Sequence, residues 1–351
     1  MMQSIHLDGL RRTRILWFTA AAFAVAAAIA GGKAAAAGLY GPAYPPTFKA
    51  PQLKHGALTI KGTKAGDKIA VRLAAGDPTT LQVDANDDGA GDFSFARADV
   101  TSILVRALAG NDAVRMDESN GAFTDTIPTT IDGGKGNDRI AGGKGVERLL
   151  GGPGNDSIDG NGGNDISLLG AGADTFIWDP GDGSDTVDGG PGADTMLFNG
   201  AAASEQVDLS ANGSRLKFFR NPGNVTMDTV RVERVDFNAL GGADIVTVND
   251  LTGTGVSRVR VDLAGTLGGV TGDGQADRVI VNATNGSDAI DVSGDSNLLK
   301  VSGLAATTEI LHSQVANDRL EVNTLAGADT VGSAGLAAGA IQLFLDGVLV
   351  Q

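Results

Sequence analysis

At 351 residues the chain has room for one or two domains, and 52 of its residues are glycine, about twice the usual share of roughly 7%. Aromatic residues make up 5%, cysteine is absent and the net charge is −15. This composition argues against a thick globular core, excludes disulfides, thiolate metal sites and a cysteine nucleophile, and favours cations over nucleic acid as partners.

Arg11, Arg12 and Arg14 precede an apolar run over residues 15–30, and Ala34 to Ala37 supply small residues. Residues 1–37 therefore read as a secretory signal peptide. A membrane anchor is the competing reading, but the run is shorter than the roughly 20 residues a span needs. Cleavage would remove Arg11, Arg12, Arg14 and Lys33 but only Asp8 among the acids, leaving a more acidic chain with no membrane span. Such a chain is expected outside the cell or at its surface, where calcium is plentiful.

Residues 38–130 read as a linker followed by a β-rich segment. Pro42, Pro45, Pro46 and Pro51 keep the linker extended. Alternating strands are expected at 58–61, 69–73 and 103–106, separated by glycine and Asp/Asn clusters. Between them, Asp84, Asn86, Asp88 and Gly89 match the opening of a calcium loop, but Phe95 stands where a closing glutamate belongs. The segment 84–92 is either an isolated calcium loop or a polar hairpin turn between Leu81-Gln82-Val83 and Phe93-Ser94-Phe95.

The block 131–199 repeats one nine-residue phrase. Its clearest copies are Gly133-Gly134-Lys135-Gly136-Asn137-Asp138-Arg139-Ile140-Ala141, Gly151-Gly152-Pro153-Gly154-Asn155-Asp156-Ser157-Ile158-Asp159 and Gly189-Gly190-Pro191-Gly192-Ala193-Asp194-Thr195-Met196-Leu197. Copies begin at 133, 142, 151, 160 and 169 and, after a shift of two residues at Trp178-Asp179, at 180 and 189. Some are imperfect: Glu147 replaces an aspartate, Ser167 replaces an apolar residue, and Leu169 and Pro180 open their copies. The phrase G-G-x-G-x-D-x-U-x is a calcium-binding β-helix repeat.

The first six residues must turn sharply, and glycine supplies positive φ and inward-facing carbonyls. The last three form a short strand with one apolar residue inside, giving an internal stack of Ile140, Leu149, Ile158, Phe176, Val187 and Met196. Two repeats make one coil, so turns two repeats apart lie above one another. One side then stacks Asp138, Asp156, Asp174 and Asp194, and the other stacks Glu147, Asp165 and Asp185. An ion between stacked turns would take carboxylate and glycine-carbonyl oxygen, as a hard cation prefers, and roughly five inter-turn sites follow. The longer arm of Glu147 makes its site the weakest. Without calcium the carboxylates repel and the short strands bury little, so calcium should supply folding energy. A calcium-free glycine-rich solenoid or a flexible linker is the alternative.

Residues 200–351 read as a degenerate β-solenoid. A strand-then-turn phrase ends at Asp244, Asp288 and Asp329, and a weaker copy ends at Asp112. The stretch 277–288 also matches 318–329. Repetition of this kind signals a solenoid. These aspartates lack like neighbours nine residues away, and are expected to be structural turn residues rather than ligands.

His55 and His312, the histidines outside the signal segment, are isolated, and no H-E-x-x-H, G-x-S-x-G or phosphate-loop motif is present. Asp236, Asp244, Arg231 and Arg234 form the best remaining acid–base candidate, of the kind a polysaccharide lyase, hydrolase or epimerase would place on a coil face. Alternating charges on exposed strands explain them more simply.

The repeat block resembles the hemolysin-type calcium-binding, or RTX, family over residues 133–197. The resemblance implies a calcium-loaded parallel β-roll, with metal ligation by Asp138, Asp156, Asp165, Asp174, Asp185 and Asp194 and by the turns holding Gly134, Gly136, Gly152, Gly154, Gly190 and Gly192. Many members leave the cell by a one-step exporter that reads a C-terminal signal, whereas this chain carries an N-terminal one. Many also carry a toxin, protease, lipase or epimerase, and none is recognisable here. The expectation is an all-β, parallel β-roll or β-helix solenoid with degenerate solenoid flanks, secreted, with Ca2+ as its ligand and no enzymatic activity. Its further partners would be an extracellular polysaccharide or a cell-surface protein; the alternative is a carbohydrate-active β-helix.

Overall fold

The computed structural model describes residues 48–351; the expected signal peptide and most of the proline-rich linker lie outside the described residues. Short apolar alternation cut by glycine turns yields short strands. Ser157–Asp159 pairs in parallel with Arg139–Ala141 on one side and with Thr175–Trp178 on the other. Glu147–Pro153 pairs likewise with Thr129–Asp132 and Ile166–Ala171. Consecutive strands thus alternate between two sheets, and each pairs with the strand two repeats away. Two nonapeptides do complete one coil.

The expected internal stack lies between the sheets. Ile140, Leu149, Ile158, Phe176, Val187 and Met196 are all at most 1% exposed. Ser167 takes its place in this column, in register with Leu149 and Val187, fully buried and with its hydroxyl unpartnered. One cluster of aromatic rings sits where the repeat shifts. Trp178 stacks on Phe198 at 3.9 Å, and Phe218 and Phe237 pack against Phe198.

The flanks continue the same coil. One sheet runs in parallel from Thr195–Asn199 through Arg234–Asn238 and Arg258–Asp262 to Thr307–Leu311. The other runs from Ile245–Val248 through Arg278–Asn282 and Arg319–Asn323 to Gln342–Leu345. The sheets hold 15 and 14 strands among the described residues. Antiparallel meanders interrupt the parallel order, as with Gln206–Asn212, Arg215–Asn221 and Val225–Val230. Ala289–Asp295, Leu298–Ser302 and Thr307–Leu311 form another. Each adds a hairpin to its coil, which is why 277–288 and 318–329 are so far apart in sequence yet stacked in space. Arg278 is in register with Arg319.

Candidate metal centre

The six-residue turns are shaped by two glycine positions. The second position has positive φ, +100° at Gly134, +111° at Gly152 and +93° at Gly190, which only glycine adopts without strain. The fourth is pressed against the turn beneath. A Cβ on Gly136 would lie 1.7 Å from the Gly110 carbonyl oxygen, on Gly154 1.9 Å from that of Gly136, and on Gly192 1.6 Å from that of Gly172. No side chain fits there, and the turn carbonyls face the next rung.

The sixth-position aspartates form the ladders that their spacing predicts. The Asp138 N–H donates to Asp156 Oδ1 at 2.8 Å, Asp156 to Asp174 at 2.7 Å, and Asp174 to Asp194 at 2.9 Å. On the other side Glu147 donates to Asp165 at 2.7 Å, and Asp165 to Asp185 at 2.8 Å. One carboxylate oxygen per rung is therefore committed to main chain, a role that spacing alone did not show. The other oxygen is not. Oδ2 of Asp138, Asp156, Asp165, Asp174, Asp185 and Asp194, and Oε1 of Glu147, are buried without a hydrogen-bond partner.

A buried anionic oxygen without a partner is costly. Its surroundings fit a hard cation. Beside the first glycine of the turn, the space a Cβ would fill is bounded by the free oxygen and by a carbonyl of the next rung. At Gly133 these are Asp138 Oδ2 at 2.5 Å and the Gly151 oxygen at 2.9 Å; at Gly151 they are Asp156 Oδ2 at 2.5 Å and the Leu169 oxygen at 2.2 Å. Among the described residues no three acidic or histidine side chains gather at one point. The donor set is thus one or two carboxylates completed by main-chain carbonyls and water, the all-oxygen chemistry calcium takes.

Burial governs the charge of these groups. It pushes Asp156 up to about 7, helped by Asp138 and Asp174, and Asp165 up to about 9, helped by Glu147 and Asp185. Asp185 rises to about 7 and Asp194 to about 6, and Asp138, Asp174 and Glu147 rise too, all chiefly through burial.

The remaining candidates fall elsewhere. Asp84 is buried against Arg72 and accepts N–H groups of Asn86, Asp88 and Gly89, so its carboxylate is spent inside a hairpin turn. The strands Asp77–Asp84 and Phe93–Ala96 pair antiparallel around it, the hairpin reading. The acid–base cluster does not converge: Arg234 pairs with Asp236, Arg231 with Asp188, and buried Asp244 accepts the Glu205 N–H. His55 is exposed at a turn, whereas His312 is not isolated, with Nδ1 2.7 Å from Asp262.

The turn aspartates of the flanks stack as well, on neighbours that lie more than nine residues away. Glu205, Asp244, Asp277 and Asp318 form a ladder of the same kind, as do Asp288 and Asp329, while Asp67 and Asp112 extend the Asp138 column. Their neighbours lie 26 to 45 residues away because the flanking coils are longer. The signal was the x-Leu-x-Gly-x-Asp phrase itself. Leu108 at φ +84° and Leu240 at +69° take the backbone shape that Gly134 has in the block.

No helix among the described residues is long and apolar enough to cross a membrane. No curated protein matches this chain. The family model of the RTX calcium-binding nonapeptide repeat matches it in four copies, over residues 130–146, 142–176 and 181–200. Residues 130–200 are a run of RTX calcium-binding nonapeptide repeats, wound into a parallel β-solenoid that continues on both sides of them.

Proposed function

We propose that the protein is a secreted solenoid whose repeat block, 131–199, folds on calcium, and that it acts as a non-enzymatic binding or structural module at the cell surface or in a matrix. One observation carries the reading: each rung of the block holds one buried carboxylate oxygen with no partner in the protein. Asp138, Asp156, Asp165, Asp174, Asp185 and Asp194 would hold the ions, with the carbonyls of the turns shaped by Gly134, Gly136, Gly152, Gly154, Gly190 and Gly192. Calcium supplies the positive charge that lets the carboxylates stay ionised in a dry stack. The protein's part is to align the oxygens. The N-terminal sequence supports export, and the long faces of the coil suit an extracellular polysaccharide or a cell-surface protein.

The test is circular dichroism with calorimetric calcium titration, starting from chelated protein. Strand signal gained as several ions bind is the expected result. A fully folded metal-free protein that takes up no calcium would overturn the proposal, and turnover of a uronate polymer would replace it with the carbohydrate-active reading.

A further inference from the structure

Among the described residues, the oxygen cradle of the block recurs once in a turn that does not spell the nonapeptide. The turn 200–205, Gly200-Ala201-Ala202-Ala203-Ser204-Glu205, has neither the paired glycines nor the sixth-position aspartate of the repeat. It still stacks as a repeat turn does. The Glu205 N–H donates to Asp244 Oδ1 at 2.7 Å, and the Ile245 N–H returns to the Glu205 carbonyl at 2.8 Å. The same two bonds join Asp138 to the turn of Asp156, through the Ser157 N–H and the Asp138 carbonyl at 2.8 Å. Ala202 bridges Gly241 in parallel.

Three oxygens converge beside Gly200. A Cβ placed there would lie 2.2 Å from Glu205 Oε2, 2.8 Å from the Asn238 oxygen and 3.0 Å from the Ala239 oxygen. Glu205 is 1% exposed, and its Oε2 is buried without a hydrogen bond. Its Oε1 is taken by Arg220 Nε at 2.6 Å, so the two oxygens have separate roles. Burial raises the Glu205 carboxyl above its ordinary value, against the opposing pull of Arg220 and the nearby Ala201 N–H, and Oε2 completes no hydrogen bond. Asp244 and Asp277 continue the ladder in the turns stacked beyond it.

The other flanking turns lack one part or the other. At Asp112 and Asp244 the free oxygen is present, but the first position holds buried Ala107 and Ala239 in place of a glycine. At Asp67 the first residue is Gly62, but Oδ2 accepts the Thr63 N–H at 2.6 Å. At Asp288 and Asp318 the second oxygen accepts N–H groups of Thr284 and Gln314. Only the turn 200–205 among these combines a bare first position with a free carboxylate oxygen.

We propose that Glu205 Oε2 and the carbonyl oxygens of Asn238 and Ala239 bind a calcium ion beside Gly200, where the nonapeptide repeats end, with ligands that all lie beyond them. Six to eight oxygens suit such an ion, and water completes the set. The proposal rests on the calcium reading of the block and is tested separately from it. Gly200 does not have positive φ, so the methyl group of Gly200→Ala meets no forbidden backbone conformation and acts by displacing Glu205 Oε2 and crowding the Asn238 oxygen.

The experiment counts calcium bound to the full chain by equilibrium dialysis, and follows hydrogen exchange of its peptides with calcium chloride or chelator. Gly200→Ala and Glu205→Gln are each expected to bind one ion fewer than the parent, to lose calcium-dependent protection over residues 200–206 and 238–245, and to keep it over 133–197. An unchanged ion count in both variants, with the block still protected, overturns this site and leaves the block's role standing. Absence of calcium-dependent protection anywhere in the parent protein overturns both.

Discussion

Asp138 and Asp156, eighteen residues apart in sequence, are joined head to tail: the N–H of the first donates to Oδ1 of the second at 2.8 Å. Asp156 repeats the gesture toward Asp174 at 2.7 Å. Every interior aspartate of the column thereby serves its neighbour's main chain with one oxygen and leaves the other for an ion. Structural and metal-binding roles sit on the same side chain and can be separated by substitution.

Asp156→Asn keeps an oxygen for the Asp138 N–H but lacks the charge. It is expected to weaken calcium binding at two rungs while changing metal-free stability little. Asp156→Ala removes the acceptor as well, leaving a buried N–H unpaired at a cost of about 1–3 kcal/mol. Denaturant melts with chelator should therefore rank Ala below Asn, and calorimetry should show both losing calcium. Equal metal-free stability of the two variants would contradict the reciprocal ladder.

Stability should depend on pH in opposite directions with and without calcium. Burial lifts Asp156 and Asp185 to about 7 and Asp165 to about 9, above the usual 3.8. The metal-free native state thus holds protons that the unfolded chain has released. Its stability is full below pH 3.8 and is lost as pH rises through 7 to 9. Calcium takes the place of those protons, so binding near pH 6 to 7 should release them and saturation should stabilise the protein most at alkaline pH. Melting temperatures against pH, in chelator and in calcium, should slope oppositely; matching slopes would rule the exchange out.

Gly154→Ala should break the stack. Its φ is +148°, and the added methyl carbon would lie 1.9 Å from the Gly136 oxygen. Backbone strain costs about 1–3 kcal/mol, before the overlap is relieved. The expected loss is about 3 kcal/mol or more in calcium, read by thermal melting. Gly213→Ala, at a turn with open space but φ of +66°, should cost less.

Trp178 reports on the middle of the coil. It is fully buried, stacked on Phe198 at 3.9 Å, and its Nε1 donates to the Gly183 carbonyl in the turn leading to Asp185. Chelation should shift its emission to the red, and Asp185→Asn should blunt the recovery on adding calcium. Emission indifferent to calcium would mean that this core forms without the ions.

Much of this was legible because the nonapeptide has one period. A rung of fixed length fixes which residues stack, so Ile158 above Ile140 and Asp156 above Asp138 follow from counting alone. The glycines of the turn were equally plain, since positive φ and rung-to-rung contact both demand them. Counting failed in the flanks, where the 206–230 and 289–311 meanders lengthen the coils and hide the partners of Asp244 and Asp288.

By itself the sequence determined the coil, its inward residues and the calcium chemistry of the block, because local turn geometry and apolar spacing repeat within each nonapeptide. Only the tertiary structure decided how each carboxylate divides its oxygens and where a cradle stays open. Glu205, Asn238 and Ala239, around Gly200, show why. Their oxygens meet across stacked rungs, and whether a methyl, an N–H or an ion takes the space between is settled by packing that no single turn contains.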